Sequence, residues 1–265
     1  MIGSDHVFVI CVHLRSMPTD SASSPSARVL IIGSGPNAVE ARDWTLSVFD
    51  HIVVINNAWQ VIDQWHDLIY PHDFPASRLP PALKPGQRLI DETAFVPTQN
   101  HYGGFVYAGG TMAFTAAYWV LHEYTPAQMY FIGCDMNYPK TGPTHFYGTG
   151  QPDPLRNDIS LTSLEGSSAR FQCLATQQNC AVFNLSAAPS RLIFPRRRAE
   201  QVTLPASLAD IDGETVADCL RTEQKLGYFV EDGRYWHVAD AFDPAQLKQL
   251  NERWLHASKH LNGKK

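Results

Sequence analysis

Short apolar runs alternate with longer mixed ones along this chain, and the alternation begins at Arg28. "RVLIIG" (28–33) is β-branched, uninterrupted and closed by glycine, which predicts a buried strand. "NAVEARDWTLSVF" (37–49) mixes apolar and polar positions and predicts a helix, and "HIVVINNAW" (51–59) predicts a second buried strand. Together they form a βαβ unit of about 30 residues, and strands this apolar indicate a parallel sheet covered on both faces.

Farther on, "DLIYPHDFP" (67–75) predicts a short third strand and a loop, and 75–104 is rich in Pro and Gly without a clear period. "TMAFTAAYWVLHEY" (111–124) is too long and too apolar for one strand, so a buried helix is expected, with "YAGG" as its N-terminal turn. "AQMYFIGCDMNYP" (127–139) predicts a central strand running into a polar loop. "SLEGSSARFQCLATQQN" (163–179) predicts an amphipathic helix and "CAVFNLS" (180–186) a strand. "DGRYWHV" (232–238) suggests a small turn or hairpin, and 243–261 a surface helix capped by Asp243 with Pro244 in its first position. No internal repeat is present.

The pattern therefore predicts an α/β fold: a Rossmann-like open, mostly parallel sheet with helices on both faces and a small C-terminal appendage. The expected divisions are an N-terminal arm (1–27), a nucleotide-binding α/β domain (28–200) and the appendage (201–265) with its surface helix. "PTDSASSPSA" (18–27) is the linker that ends the arm.

Composition narrows the partners. The chain has 265 residues and 44% hydrophobic content, enough for a full core. A net charge of −5 argues against a general nucleic-acid binder but leaves anionic substrates open, because one pocket can be locally positive. The five cysteines (Cys11, Cys134, Cys173, Cys180, Cys219) are scattered, without metal-knuckle spacing or a disulfide framework, which predicts a reducing cytoplasm. "HVFVICVHL" (6–14) lacks the basic start and cleavage site of a signal peptide, and no stretch reaches the ~18 apolar residues of a membrane span.

In open parallel sheets, ligands sit beyond the carboxyl ends of the strands. Four polar segments are expected at that edge: Gly33 to Asn37, Asn56 to Asn57, Gly109 to Thr111, and Gly133 to Tyr138. Gly33-Ser34-Gly35 permits close backbone approach, and a helix starting at Asn37 would offer free N–H groups to a phosphate. The pattern is neither GxGxxG nor a Walker A loop, so a plain tight turn explains it equally well. Asn56 suits a base or sugar, or simply caps a turn. Gly109 and Gly110 before Thr111 suit a second anion-binding helix start, or close packing on the sheet. Asp135 suits ribose hydroxyls, while Cys134 is expected to be packed. The loop 144–156 carries His145, Tyr147, Asp153 and Arg156, and His145 has the titration range of a general base, although a surface histidine is the default reading. "PRRRAE" (195–200) is a basic run, ordinarily solvated, otherwise facing an anionic glycan or membrane headgroups.

In order along the chain, "GSGPN", Asn56 after the second strand, "AGGTMAFTAAYW", "YFIGCD" and "AVFNLSAAPSRL" resemble the bacterial sialyltransferases of glycosyltransferase family 42 and related polysaccharide-biosynthesis proteins. The resemblance covers about 28–194. It implies a CMP-sugar donor, a glycan acceptor and an inverting transfer without metal or other cofactor, in the cytoplasm or at the inner face of the membrane, where peripheral association is an option. It also implies that Gly33, Ser34 and Gly35 line the donor phosphate and ribose. Asn56 would meet the nucleotide, Gly109 and Gly110 replace the family's Ser-Gly pair, and Asp135 approaches the nucleoside hydroxyls. Tyr138 and Tyr147 are the nearest candidates for hydroxyls on the departing phosphate, and His145 for the base. Ser34 stands where the family has asparagine, and Gly109 where it has serine.

Two other readings remain open on the sequence. One is a Mg-dependent phosphate or diphosphate transferase of the archaeal pterin diphosphokinase-like kind, for which Asp73, Asp135 and Asp153 are the available carboxylates. The other is a nucleotide-binding protein without catalysis.

Overall fold

The computed structural model describes residues 27–150 and 156–258. The expected N-terminal arm falls almost wholly outside them, as does Asp153. Six strands form one sheet: β1 (Arg28–Ile32), β2 (His51–Ile55), β3 (Asp67–Ile69), β4 (Arg88–Ile90), β5 (Gln128–Ile132) and β6 (Ala181–Asn184). Their spatial order is β4-β3-β2-β1-β5-β6 and every pairing is parallel, so the fold is an open Rossmann-like α/β sheet. The order reverses between β1 and β5, which register from Arg28 opposite Gln128 to Ile32 opposite Ile132.

Period-two alternation sends Val29, Ile31, Val53, Ile55 and Ile69 to one face and Leu30, Ile32, Ile52, Val54 and Leu68 to the other. The first face is covered by α-helices. These are α1 (Glu92–His101), the single turn α2 (Phe105–Ala108), α3 (Met112–Tyr124) and α4 (Leu164–Gln177), with α5 (Gly213–Leu226) and α6 (Pro244–Ala257) packed against α4 and each other. The second face is covered by helices of another kind, short 3-10 turns at Pro36–Asp43, Leu46–Val48 and Asn56–Gln60.

The helix expected over 37–49 is thus a 3-10 segment that breaks at Trp44. Ala38 and Ala41 are buried and Trp44 packs beside them, a spacing of three that suits three residues per turn rather than 3.6. The expected third strand ends at Ile69 rather than continuing toward Pro75. Two elements in the unassigned stretch 75–104 are β4 and α1. Asp91 caps α1 by accepting from the Thr93 amide at 3.0 Å, although Pro97 lies inside the helix. "RYWHV" forms a 3-10 turn at Tyr235–His237, not a hairpin.

The packing does not divide at residue 200. Val216, Cys219, Leu250 and Trp254 belong to the same core as the sheet and α3. Arg170 of α4 donates from Nε and Nη2 to the two carboxylate oxygens of Glu223 in α5, both at 2.8 Å. Arg170 Nη1 donates to Tyr118 Oη at 2.7 Å, Nη2 also to the Tyr102 carbonyl at 2.6 Å, and Trp254 Nε1 donates to Glu223 at 3.0 Å. What reads as an appendage is an outer helical layer bolted to α4, and the "surface" helix buries Trp254 completely enough to leave 1% exposed.

Two glycines at the centre of the sheet are required by proximity. Gly33 N donates to Ile132 O and Gly35 N to Gly133 O, each at 2.8 Å, which draws the loops after β1 and β5 together. A Cβ on Gly33 would stand 2.3 Å from the Gly133 carbonyl oxygen, and Gly133 itself sits at φ +69. Gly33→Ala should therefore cost about 3 kcal/mol or more, since neither backbone can yield without breaking the sheet centre. Gly213→Ala, which meets nothing within 4 Å at the start of α5, should be neutral or slightly stabilising. Urea unfolding of the two variants checks the contrast; equal midpoints would contradict it.

Candidate functional site

A cavity of about 110 Å³ opens at the switch point between β1 and β5. Gly33, Ser34, Gly35, Asn37, Asn56, Thr111, Asp135, Tyr138 and His145 all line it, with the neighbours of the head of α3 and of the β5 loop. Chain segments far apart in sequence meet here because all follow carboxyl ends of parallel strands or, for α3, point a helix start at that edge. A larger open depression of about 750 Å³ lies near the amino ends of β2 and β3, bordered by Arg42, Asp50 and His66. It lies away from the carboxyl-edge loops.

Several features mark the smaller cavity. Asn56 holds a left-handed backbone, φ +54, and its Oδ1 is buried without a hydrogen-bond partner among the described residues. Met136 is also left-handed, φ +50, in a residue type that rarely tolerates it. The other left-handed non-glycine residues, Thr125 and Asn179, sit just after helices, where this conformation is an ordinary cap. At the head of α3 the Thr111 hydroxyl accepts from the Phe114 amide at 3.3 Å. The amides of Met112 and Ala113, both at the cavity, lie in the first turn, where no intrahelical acceptor exists. This thirteen-residue helix brings its positive dipole end to the cavity.

The glycine turn contributes differently from the sequence expectation. The Gly33 and Gly35 amides are committed to β5 and its loop, so they do not cradle an anion, and in the 3-10 segment after them Pro36 has no N–H and the Ala38 amide donates to Gly35 O at 3.0 Å. Their role is to let the two loops touch. Ser34 spans them to β2 by donating to the Ile55 carbonyl at 3.1 Å.

Asp135 is a bracket. Its carboxylate accepts from Asn37 Nδ2 at 2.8 Å, Ser186 Oγ at 2.6 Å and Asn184 Nδ2 at 3.1 Å, with Arg196 at 4.0 Å. Few lone-pair directions remain for ribose hydroxyls. Because a carboxylate only accepts, the Asn37 amide nitrogen must face it. Sequence reasoning does not single out Asn184, Ser186 or Arg196 as contributors; the polar end of β6 in "AVFNLS" (181–186) is the signal for the first two. Arg196 also donates to the carbonyls of Ser186 and Ala188, and Arg197 donates to Pro205 O at 2.8 Å and lies 4.2 Å over the Phe183 ring. Two arginines of the basic run thus strap neighbouring loops together while Arg196 remains exposed to solvent.

His145 is held over the cavity by its neighbours. Phe146 N donates to Ser34 O at 3.0 Å, and His145 and Gly148 close a tight turn through 2.9 and 3.1 Å backbone bonds. His145 Nδ1 lies 2.9 Å from Thr144 Oγ1, which also accepts from the Gly150 amide at 2.9 Å. In the tautomer whose Nδ1–H donates to Thr144, Nε2 is the open base. Burial lowers the His145 pKa below the usual histidine value, which favours the neutral ring at pH 7. Tyr138 lies across the cavity wall, its ring 6.3 Å from the imidazole. Tyr147 does not line the cavity; it is 47% exposed and stacks on the imidazole at 4.9 Å.

Gly109 and Gly110 do not line this cavity either. A Cβ on Gly109 would meet Phe114 at 2.8 Å and Ser167 at 3.0 Å, and one on Gly110 would meet Ser160 at 2.3 Å. Gly109 thus lets α3 pack on Ser167 of α4, and Gly110 lies tight against Ser160 and Tyr235. Asn57 is buried away from the cavity. Cys134, Cys173, Cys180 and Cys219 are buried free thiols, and burial pushes the last three up to about 12, so they pack rather than react. Among the described residues no three His, Cys, Asp or Glu side chains group to hold a metal, and no helix is long and apolar enough to cross a membrane.

Fold and site together define an open parallel α/β protein with a small polar cleft at its topological switch point. No family model, curated protein sequence or solved structure matches the chain.

Proposed function

We propose that the protein is a nucleotide-sugar-dependent glycosyltransferase of the sialyltransferase-like kind, with a CMP-sugar as donor and a glycan hydroxyl as acceptor. The observation that carries this reading is the meeting of Asn56, the α3 start and His145 at one cavity. The first-turn amides of α3 suit a phosphate, and the unpaired Asn56 Oδ1 suits a donor on a nucleoside. In the reaction the acceptor oxygen bonds to the anomeric carbon and gives its proton to His145 Nε2. The bond from that carbon to the phosphate oxygen breaks, and its electron pair leaves with CMP. Charge growing on the phosphate meets the helix start and the Tyr138 hydroxyl.

The test is a thermal-shift comparison of CMP, UDP, GDP and ATP, each with and without Mg²⁺. A nucleotide at 100 times its Kd stabilises the native state by about 2.7 kcal/mol. CMP should give the largest shift, unchanged by EDTA. A shift seen only for ATP with Mg²⁺ would instead support the diphosphate-transfer reading, and no shift with any of the four would sink both.

A further inference from the structure

A second cavity, of about 240 Å³, opens beyond the carboxyl ends of β3 and β4, and Met112 at the head of α3 lines both it and the first. Its walls carry His72 and Asp73 after β3, Glu92 in α1, and Arg234 and Trp236 on the turn before α6. The carboxylates of Asp73 and Glu92, the Arg234 guanidinium and the Trp236 indole N–H form no hydrogen bond or ion pair with another described residue. Polar groups of both signs therefore border one hollow, exposed to solvent and free of protein partners among the described residues.

The floor beneath them is fixed. Tyr235, 3% exposed, bonds through its hydroxyl to Asp158 at 2.9 and 3.1 Å and to Ser160 at 3.0 Å. A Cβ on Gly233 would come within 2.9 Å of the Phe105 ring, so the turn lies tight against it. From this base Trp236 projects 50% exposed, its ring within 9° of parallel to His72 at 6.4 Å between centroids. The ring also touches Tyr235 edge-on at 5.5 Å and His237 at 5.8 Å, so it is held in place while half of it stays open beside the cavity.

We propose that this second cavity is a saccharide subsite, in which a neutral sugar ring lies on the Trp236 indole while its hydroxyls pair with Asp73, Glu92 and Arg234. Sugars match the lining because one ring face is a patch of C–H groups and the rim is hydroxyls that both donate and accept. Carboxylates outnumber the free guanidinium, which favours a neutral ring over an anionic one. Together with the proposed function, on which this assignment of the acceptor rests, the shared Met112 wall sets the sugar next to the donor. Methionine is flexible enough to yield when both sides fill.

The experiment uses the full chain labelled with 5-fluorotryptophan, whose six tryptophans give fluorine resonances and whose Trp236 line is assigned with Trp236→Phe. Lactose is the probe. Titration should move the Trp236 line saturably and leave the other five still. Asp73→Asn should weaken the lactose response about tenfold, the effect of one charged hydrogen bond, while leaving the CMP thermal shift intact. A lactose response without a CMP shift upholds the sugar subsite and fails only the donor reading. A CMP shift with a Trp236 line that lactose does not move overturns the subsite.

Discussion

His145→Ala should slow the proposed transfer from a CMP-sugar donor by about 10²–10⁴-fold, the usual contribution of a positioned general base, while the CMP thermal shift stays at the wild-type value. The side chain lines the cavity but the backbone around it is held by Phe146 N on Ser34 O and by the His145–Gly148 turn, so truncation leaves the loop in place. The pH dependence has a definite sign. Burial lowers the His145 pKa, so the ring is neutral above a pH that lies below 6.5. Activity should rise as pH climbs through that value, and this acid limb should vanish in the variant. Near-wild-type turnover in the alanine variant would remove His145 from the mechanism. Tyr147→Phe is the companion measurement: its ring stacks on the imidazole from outside the cavity, so losing the hydroxyl should leave turnover within a few-fold.

Glu223→Ala should destabilise the fold by about 3–5 kcal/mol, because it strands a buried guanidinium. Arg170 is 2% exposed and Glu223 6% as side chains, and their two parallel bonds join α4 to α5. Trp254 Nε1 also loses its acceptor, which loosens α6. For a chain of this size the midpoint should fall by roughly 6–20 °C. The double variant Arg170→Met with Glu223→Leu should lose much less than the sum of the single losses, since removing both charges removes the stranded one. A Glu223→Ala midpoint within a degree of wild type would show that the outer helices do not depend on this pair.

How far the sequence spoke for itself differs from element to element. β1, β2, β5 and β6 are legible because each carries a short, buried apolar run, and α3, α4 and α6 because their lengths or caps stand out. β4 was hidden because three residues with exposed Arg88 and Leu89 carry no apolar run. α1 was hidden behind Pro97, which normally argues for a helix end. α5 had a full set of signals, Asp212 as N-cap and Gly227 in the left-handed C-terminal position, yet its tie to the core runs through Glu223, a residue that reads as surface.

At the site, the convergence of the strand-end loops followed from parallel topology and was legible. Individual roles were not. Gly33 and Gly35 invited a phosphate-binding reading, although each faces a carbonyl from a loop about a hundred positions later. Asp135 looked available because its three nearest partners, Asn37, Asn184 and Ser186, reach it only through the fold.

The stitch between Gly33, Gly35 and Gly133 also has a temporal meaning. During synthesis the first strand waits, unzipped on one side, until residues beyond 133 leave the ribosome. Until then the hollow has no far wall, because Gly133 to Tyr138 supply it. The cleft is thus a late product of folding, complete only when the sheet is, and any ligand held there would draw its stabilisation from the whole molecule at once.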